Sequence, residues 1–251
     1  MVFIPVIRIW RFNMTTIAVA SGKGGVGKST ISINLSKALL DKSKKVLCID
    51  FDHNNNCTDF FLRKVSVEEI EEKNLYHVLT GRKTLEECIH KTSSIDIIPA
   101  TPLLACIEIE LARDPGALLR FPTLLGKTDY DYIIIDTPPS ISFALTAALY
   151  ASNILLCPVT WSRWTIQGYS LLKEECQKVT QSTGTEINLL AIPSMVSDTE
   201  LEKLHKVKIW DLTESYISRN NALKNNASSG TDLRKDTIAW KQFNTLAEEL
   251  L

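Results

Sequence analysis

A glycine-rich stretch near the start of the chain, SGKGGVGKST at 21–30, constrains the fold more than any other feature. Residues Gly22 to Ser29 satisfy the pattern G-x-x-x-x-G-K-S/T, whose backbone N–H groups cradle phosphates. Such a loop needs a strand before it and a helix after it, because the helix presents its positive end to the anion. The run TTIAVAS at 15–21 predicts the strand, and STISINLSKALLDK at 29–42 predicts the helix. We therefore expect an α/β protein that binds a phosphorylated ligand.

Apolar runs alternate with longer helical patterns along the chain, as expected for parallel strands joined by helical crossovers. The runs are continuously apolar, which predicts strands covered on both faces. They lie at 15–21, 45–50, 95–100, 131–136, 153–159 and 187–194. The expected fold class is α/β, a doubly wound, mostly parallel sheet with helices on both faces. The last helix is expected to dock on the sheet through Ile238, Phe243, Leu246 and Leu250.

The length of 251 residues suffices for one large α/β domain, which we expect to span residues 14–251. Residues 1–13, MVFIPVIRIWRFN, precede the first predicted strand. They contain Pro5 and no small-residue cleavage site, so they make a poor signal peptide. We interpret them as an N-terminal extension or an alternative start, with Met14 as the working start.

Composition narrows the classes of function. The formal net charge of −1 excludes the overall basicity that drives strong non-specific nucleic-acid binding, so any DNA contact must come from a local patch. No stretch approaches the roughly 18 apolar residues that span a bilayer. The six cysteines show no Cys-x-x-Cys spacing, which predicts structural thiols in a reducing cytoplasm.

Two later strands end in carboxylates that would complete a nucleotide site. Asp136 ends the run YIIID, the position of a carboxylate that holds Mg²⁺, and the following prolines turn the chain out of the sheet. Asp50 and Asp52 are two residues apart at the end of another strand, so both point to the same face. Lys28 is expected to bridge the β- and γ-phosphates, and Ser29 to place its hydroxyl on Mg²⁺. For Asp52, a turn-forming or helix-capping role is the alternative.

The loop also carries a family resemblance. Its sequence from Lys23 to Thr30, KGGVGKST, resembles the deviant Walker A form of ParA-type partition ATPases, MinD-type division regulators, nitrogenase iron protein and arsenite-pump ATPases. The segment KVLCIDFDHNNNCTDFF is similar to the family's switch region, and DYDYIIIDTPPS to its Walker B strand. The segment WTIQGYSLL resembles ParA and Soj proteins in particular. The resemblance covers nearly the whole chain from Thr15 and favours the ParA/Soj branch.

The resemblance implies ATP or ADP and Mg²⁺ as cofactors, and a sandwich of two subunits around two nucleotides. In that sandwich Lys23 would reach the phosphates bound by the other subunit, with a solvated loop lysine as the alternative. Asp52 matches the switch carboxylate that positions the attacking water, Asp136 the Walker B acid, and Asp50 would lie just outside the metal ligands. The implied catalytic residues are Lys23, Lys28, Asp52 and Asp136. The implied metal site comprises Ser29, Asp52 and Asp136. The implied nucleotide contacts of the loop are Lys23, Gly24, Gly25, Val26, Gly27, Lys28, Ser29 and Thr30.

The segment SYISRNNALKNNASSG resembles the family's stretch beside the adenine, so Arg219 and Asn220 are implied contacts of the base. The chain departs from the family pattern at three places. His53-Asn54 replaces the usual Pro-Gln after the switch aspartate, Ser218 replaces a proline, and Ala222 occupies a position that is often basic. The first departure bears on the rate of hydrolysis or on its coupling.

Members of this family act on different partners, and the sequence separates some of them. Cysteine spacings for an iron–sulfur cluster are missing, and the ending NTLAEELL is acidic where MinD-type proteins carry a basic membrane helix, so no membrane partner is expected. ParA-type proteins bind non-specific double-stranded DNA as ATP-bound dimers. The region 203–241 has a modest basic excess suited to phosphates, although interleaved acids keep a solvated mixed-charge surface as the alternative. The candidate DNA contacts are Lys206, Lys208, Lys224, Arg234 and Lys235.

Together these features predict an ATP-dependent DNA-partitioning switch, a slow ATPase of the cytoplasm that associates with the nucleoid. ATP would drive a homodimer onto DNA, and Mg²⁺-dependent hydrolysis, stimulated by a ParB-like centromere-binding partner, would release it during chromosome or plasmid segregation. Three alternatives stay open. They are a ParA-like ATPase that positions a protein cargo, a hydrolysis-deficient nucleotide-dependent DNA clamp, and a MinD-like membrane regulator.

Overall fold

The computed structural model describes residues 14–112, 114 and 116–251, apart from the side chains at 224, 225, 227 and 228. The N-terminal segment 1–13 therefore lies outside the described residues. Seven strands of the described chain form one sheet: β1 (Thr15–Val19), β2 (Val46–Asp50), β3 (Asp96–Ile98), β4 (Tyr132–Asp136), β5 (Ile154–Val159), β6 (Asn188–Val196) and β7 (Ile217–Ser218). The six predicted strands are confirmed, and the two-residue strand β7 was missed.

Every pair of neighbouring strands is parallel, in the order β3-β2-β4-β1-β5-β6-β7. On one side of β1 the sheet contains β4, β2 and β3, and on the other side it contains β5, β6 and β7. The sheet thus extends in both directions from β1, which confirms the doubly wound α/β class. The register pairs Asp136 with Val19 on one side and with Asp50 on the other. The carboxyl ends of β1, β4 and β2 therefore meet at one edge, and this edge carries the phosphate loop.

Helices cover both faces of this sheet. Those of the described chain are α1 (Lys28–Asp41), α2 (Asn56–Leu62), α3 (Val67–Glu72), α4 (Leu75–Leu79), α5 (Ile107–Leu111), α6 (Ala117–Leu125), α7 (Phe143–Tyr150), α8 (Arg163–Thr183), α9 (Asp198–His205), α10 (Asn221–Ser229) and α11 (Ile238–Glu249). One apolar core contains residues of α1, α2 and α11, and the other contains residues of α4 to α8. In β1, Ile17 and Val19 belong to the first core and Ala18 to the second, so the strand is covered on both faces.

The terminal helix docks as predicted, with one correction. Phe243 and Leu246 are fully buried and Leu250 is nearly so, but Ile238 is 66% exposed. The helix begins at Ile238, five residues before Phe243. At 3.6 residues per turn this separation rotates Ile238 about 140° away from Phe243, so it cannot share the buried stripe.

Two findings bear on the composition argument. Within the described residues, no helix is long and apolar enough to cross a membrane. The cysteines are reduced, and five of the six are buried; Cys106 is exposed. Cys48 and Cys157 lie inside strands β2 and β5, as expected for structural thiols.

Candidate nucleotide-binding site

The phosphate loop follows β1 and ends at the N-terminus of α1. Gly25 and Gly27 have φ angles of 72° and 94°, in the left-handed region that glycine tolerates best. Gly27 is the residue that caps α1, so the positive end of this 14-residue helix faces the loop. A β-carbon at Gly27 would lie 3.0 Å from the Ser194 hydroxyl oxygen, which shows how tightly β6 supports the loop. The Ser194 hydroxyl also donates to the Val26 carbonyl at 2.8 Å.

A cavity of about 380 Å³ opens over this loop. Its lining includes most of the residues that the sequence assigned to the nucleotide: Gly24, Gly25, Gly27, Lys28, Ser29, Thr30 and Asp52. The switch and the neighbouring segments add Ile33, Asn54, Asn56, Asp59, Pro139 and Met195. Asp136 does not line the cavity but is fully buried, and its hydrogen bond to Ser32 on the first turns of α1 places it under the loop.

Lys28 places a positively charged side chain in the lining of this cavity. Its side chain is almost completely buried, and burial lowers its pKa from the usual value. The carboxylates of Asp136 and Asp52 oppose that shift by attraction, without cancelling it. An ammonium group that is desolvated and incompletely compensated is available to an anionic ligand, as a phosphate-binding lysine must be.

Asp136 is held from two helices. The Ser32 hydroxyl on α1 donates to Oδ1 at 2.8 Å, and the Cys57 thiol on α2 donates to Oδ2 at 3.4 Å. Burial raises the pKa of this carboxyl, whereas hydrogen bonds from Ser29 and Ser32 and the charge of Lys28 oppose the rise. A nearby cation would relieve the cost of this buried charge.

Asp50 organises the switch segment. Its Oδ1 accepts a hydrogen bond from the Asp52 N–H at 3.0 Å, and its Oδ2 accepts from the N–H and the hydroxyl of Thr58, both at 2.9 Å. Burial, and then the charge of Asp136, raise its pKa. Both oxygens are occupied by protein donors, so Asp50 anchors the chain around Asp52. Thr58 lies in the segment that resembles the family's switch region, but the sequence analysis assigned it no role.

Asp52 lies at the wall of the cavity and is 4% exposed. Its Oδ1 accepts from the Asn54 N–H at 3.0 Å and from the Asn54 side-chain amide at 2.8 Å. His53 Nδ1 is 3.9 Å from the same oxygen. His53 and Asn54, the two residues that depart from the family pattern, therefore both lie beside Asp52, and Asn54 fixes the orientation of its carboxylate.

The donor chemistry around the loop fits Mg²⁺. Within the described chain, no three His, Cys, Asp or Glu side chains are grouped so that they could hold a metal alone. Mg²⁺ is usually held by one or two carboxylates together with substrate phosphates and water. Ser29 and Asp52 at the cavity, with Asp136 directly beneath, offer oxygen ligands of this kind.

Lys23 differs from Lys28 in its surroundings. Its side chain is exposed, and among the described residues it forms no ion pair or hydrogen bond of its own. Its carbonyl accepts a hydrogen bond from the Ser21 hydroxyl at 2.7 Å, which fixes the backbone and leaves the ammonium group outside. The two loop lysines thus face different environments.

Arg219 and Asn220 follow β7, at the same sheet edge as the loop but outside the lining of the cavity. The Arg219 N–H donates to the Val196 carbonyl at 3.2 Å, and its guanidinium lies 3.5 Å from Glu200. The Asn220 side chain accepts from the Ala222 N–H at 2.8 Å and caps α10. Their contact with a base stays a prediction.

The candidate DNA contacts lie on two sides of the sheet. Lys206 and Lys208 are exposed just after α9, whose Leu204 belongs to the core with α4 to α8. Arg234 and Lys235 directly follow Leu233, which belongs to the opposite core. Arg234 pairs with Asp236 at 2.8 Å and Lys235 pairs with Asp41. The side chain of Lys224 lies outside the described part of the chain.

Comparison with known proteins agrees with this geometry. Residues 14–189 match a family model described as an AAA domain. The chain is 31% identical over 229 residues to the sporulation initiation inhibitor protein Soj of Bacillus subtilis, which covers 85% of this chain and 88% of Soj. It is 33% identical over 182 residues to the chromosome-partitioning ATPase Soj of Thermus thermophilus, which covers 72% and 69%.

A solved structure extends the match to three dimensions. A plasmid partition protein of Borrelia burgdorferi B31, bound to AMPPNP, has a TM-score of 0.83 and 26% identity, and the match covers 94% of this chain and 98% of that one. The family model spans well over half of the chain, and the Soj proteins are similar along most of their own length. The chain therefore belongs to the ParA/Soj family of P-loop ATPases.

Proposed function

We propose that this protein is an ATP-dependent switch for DNA partition. ATP and Mg²⁺ join two copies into a dimer that binds double-stranded DNA without sequence preference, and hydrolysis releases the DNA. The supporting observation is the contrast between the two loop lysines. Lys28 is buried against Asp136 and Asp52 within its own site, whereas Lys23 is exposed and unpaired in the described chain.

The contacts described above support the following roles within one subunit. Lys28 and the loop N–H groups would bind the phosphates, and Ser29, Asp52 and Asp136 would hold Mg²⁺. When bound, Mg²⁺ neutralises charge on the phosphate oxygens. Asp52, oriented by Asn54, accepts a hydrogen bond from the water whose oxygen attacks the γ-phosphorus as the bond to the bridging oxygen breaks.

In the dimer, Lys23 of each subunit acts at the nucleotide site of the other. An ammonium group supplied by a partner stabilises charge on the γ-phosphate much as an arginine finger does, and it makes dimerisation depend on the nucleotide. Arg219 and Asn220 contact the base from the end of β7. The whole cycle belongs to one domain, residues 14–251, acting in the cytoplasm on the nucleoid.

DNA binding uses local cations, since the formal net charge of the chain is −1. Lys206, Lys208, Lys224, Arg234 and Lys235 contact phosphates, and dimerisation doubles their number, which makes binding steeply dependent on salt. A ParB-like protein bound to a centromere-like site accelerates hydrolysis. The chromosome-partitioning ATPase Soj of Thermus thermophilus and the plasmid partition protein of Borrelia burgdorferi support a role in chromosome or plasmid segregation.

A second candidate is a ParA-like ATPase that positions a protein cargo. The observation in its favour is that Arg234 and Lys235 are already paired with Asp236 and Asp41, on the opposite side of the sheet from Lys206 and Lys208. Divided and partly neutralised cations make a weaker DNA surface.

The deciding experiment is DNA co-sedimentation with ATP, ADP or no nucleotide across a salt series, with Lys28→Ala as the control. Binding that requires ATP, disappears in Lys28→Ala and weakens steeply with salt supports the partition switch. An ATP-dependent dimer that binds no DNA supports the cargo-positioning ATPase. A DNA-bound dimer that never turns over ATP supports a hydrolysis-deficient clamp.

A further inference from the structure

The first turn of α2 is hydrogen-bonded to Asp50 and Asp136, the two fully buried carboxylates of the nucleotide site. Two consecutive residues make the contacts: Thr58 donates twice to Asp50, and the Cys57 thiol donates to Asp136 Oδ2 at 3.4 Å. Helix α2 begins at Asn56, four residues after Asp52, the proposed switch carboxylate. A displacement of Asp136 would therefore change a contact at the start of this helix.

The Cys57 side chain is fully buried, so its thiol hydrogen can reach only neighbouring protein atoms. Its other polar neighbours include the Cys48 thiol and the Ser29 carbonyl, the latter at 3.9 Å. Because Ser29 is a proposed metal ligand, the same sulfur contacts the chain around two of the proposed ligands.

The two carboxylate oxygens of Asp136 are therefore held by two different helices. Ser32 on α1 holds Oδ1, and Cys57 on α2 holds Oδ2. A carboxylate bound on both oxygens has a fixed plane, and groups that orient a metal-binding carboxylate in this way commonly change metal affinity by 10- to 100-fold. A thiol is a weak donor, so we place its effect at the lower end of that range.

We propose that Cys57 is a positioning residue, which orients Asp136 for Mg²⁺ and links the metal site to the switch helix α2. The inference rests on the proposed Mg²⁺-dependent nucleotide site. In this role the thiol acts through the Asp136 carboxylate and is not itself a metal ligand. Cys57 was not among the sequence-predicted site residues, since nothing in its local sequence distinguishes it from a buried structural cysteine.

The test compares three variants by calorimetry with AMPPNP, in Mg²⁺ and in EDTA. Cys57→Ala removes the donor, and Cys57→Ser keeps a hydroxyl donor in the same place. Cys48→Ala is the matched control, because Cys48 is equally buried in β2 and hydrogen-bonds the Cys57 thiol but not Asp136, so it removes a neighbour of Cys57 and leaves the contact with Asp136 in place. The ratio of the two dissociation constants measures how much Mg²⁺ strengthens nucleotide binding.

We expect Cys57→Ala to reduce this ratio by about 10-fold. Its affinity in EDTA should equal that of the wild type, and Cys57→Ser and Cys48→Ala should keep most of the wild-type ratio. A ratio that Cys57→Ala leaves unchanged overturns the inference and spares the proposed metal site. A wild-type ratio of one would mean that Mg²⁺ does not strengthen nucleotide binding, and it overturns both the inference and the proposed metal site.

An infrared measurement on the wild-type protein tests the same link in case the Cys57→Ala variant fails to fold. The S–H stretching band of Cys57 is identified by difference from Cys57→Ser, and its position reports the strength of the S–H···O bond. We expect the band to move when Mg²⁺ and AMPPNP bind together, and not with AMPPNP in EDTA. A band that stays in place under both conditions overturns the link to the metal.

Discussion

The backbone of Gly22, at the start of the phosphate loop, lies directly against the backbone of Gly168 in α8. A β-carbon at Gly22 would lie 3.0 Å from the Gly168 Cα, and one at Gly168 would lie 3.4 Å from the Gly22 Cα. Helix α8 has 21 residues and packs on the sheet through Tyr169 and Leu172. The pair of glycines therefore lets a long, well-anchored helix support the loop from behind.

The two glycines should respond differently to alanine. Gly22→Ala forces backbone against backbone, and overpacking of this kind costs about 1–3 kcal/mol, so we expect lower stability and weaker AMPPNP binding. Gly168→Ala gains about 1 kcal/mol of helix propensity, which offsets its looser contact. Urea unfolding and calorimetry measure both effects. Equal losses in the two variants would contradict the asymmetry of the contact.

Lys28→Met should separate binding from stability. Charged hydrogen bonds contribute about 1.5–3 kcal/mol each, so AMPPNP affinity should fall by about 100-fold. Burial lowers the pKa of Lys28 in spite of Asp136 and Asp52, which means that the folded protein disfavours the ammonium form. Removing the charge should therefore leave the free energy of unfolding of the nucleotide-free protein unchanged or raised. A clear loss of stability without nucleotide would show that Lys28 is a structural counter-ion instead.

Asn54 tests the departure from the family pattern. Its side chain donates to Asp52 Oδ1 at 2.8 Å, so Asn54→Ala should let the carboxylate rotate and lower kcat by about 10-fold with little change in KM for ATP. Asn54→Gln, which restores the family residue, is the matched comparison. A rise in KM with unchanged kcat would mean that Asn54 contributes to binding and not to the orientation of Asp52.

The phosphate loop, six strands and the carboxylates were predictable because their signals are local. Glycine spacing and continuous apolar runs report the backbone of a single segment. Thr58, Cys57 and Ser32 carry no such signal, because polar residues inside a helix acquire a role only from the strand packed against them. Strand β7 has two residues, too few for a pattern, and it forms by pairing with β6.

Ile238 was wrongly predicted to lie on the buried side of α11. Helical spacing cannot assign a residue to a face of a helix when the first residue of that helix is uncertain. Phe243→Ala should cost about 3–5 kcal/mol, since it empties a fully buried aromatic site. Ile238→Ala should change stability by less than about 0.5 kcal/mol, because its side chain is mostly exposed. Urea unfolding of the two variants checks the register of α11, and comparable losses would place Ile238 in the core.

The two groups of candidate DNA contacts can be compared at equal charge. The double variants Lys206→Ala/Lys208→Ala and Arg234→Ala/Lys235→Ala each remove two positive charges per subunit. Among the described residues, Lys206 and Lys208 form no ion pairs, whereas Arg234 and Lys235 would have to release Asp236 and Asp41 to bind phosphate.

We therefore expect the Lys206→Ala/Lys208→Ala variant to lose more affinity. Its plot of log Kd against log salt should flatten by roughly two units per subunit, as for two lost phosphate contacts. The Arg234→Ala/Lys235→Ala variant should keep most of the wild-type slope, since it loses charge but few contacts. Fluorescence anisotropy with labelled duplex DNA and ATP measures both slopes. The reverse order would place the DNA against α11 and show that the ion pairs open on binding, because surface pairs contribute only about 0–1 kcal/mol.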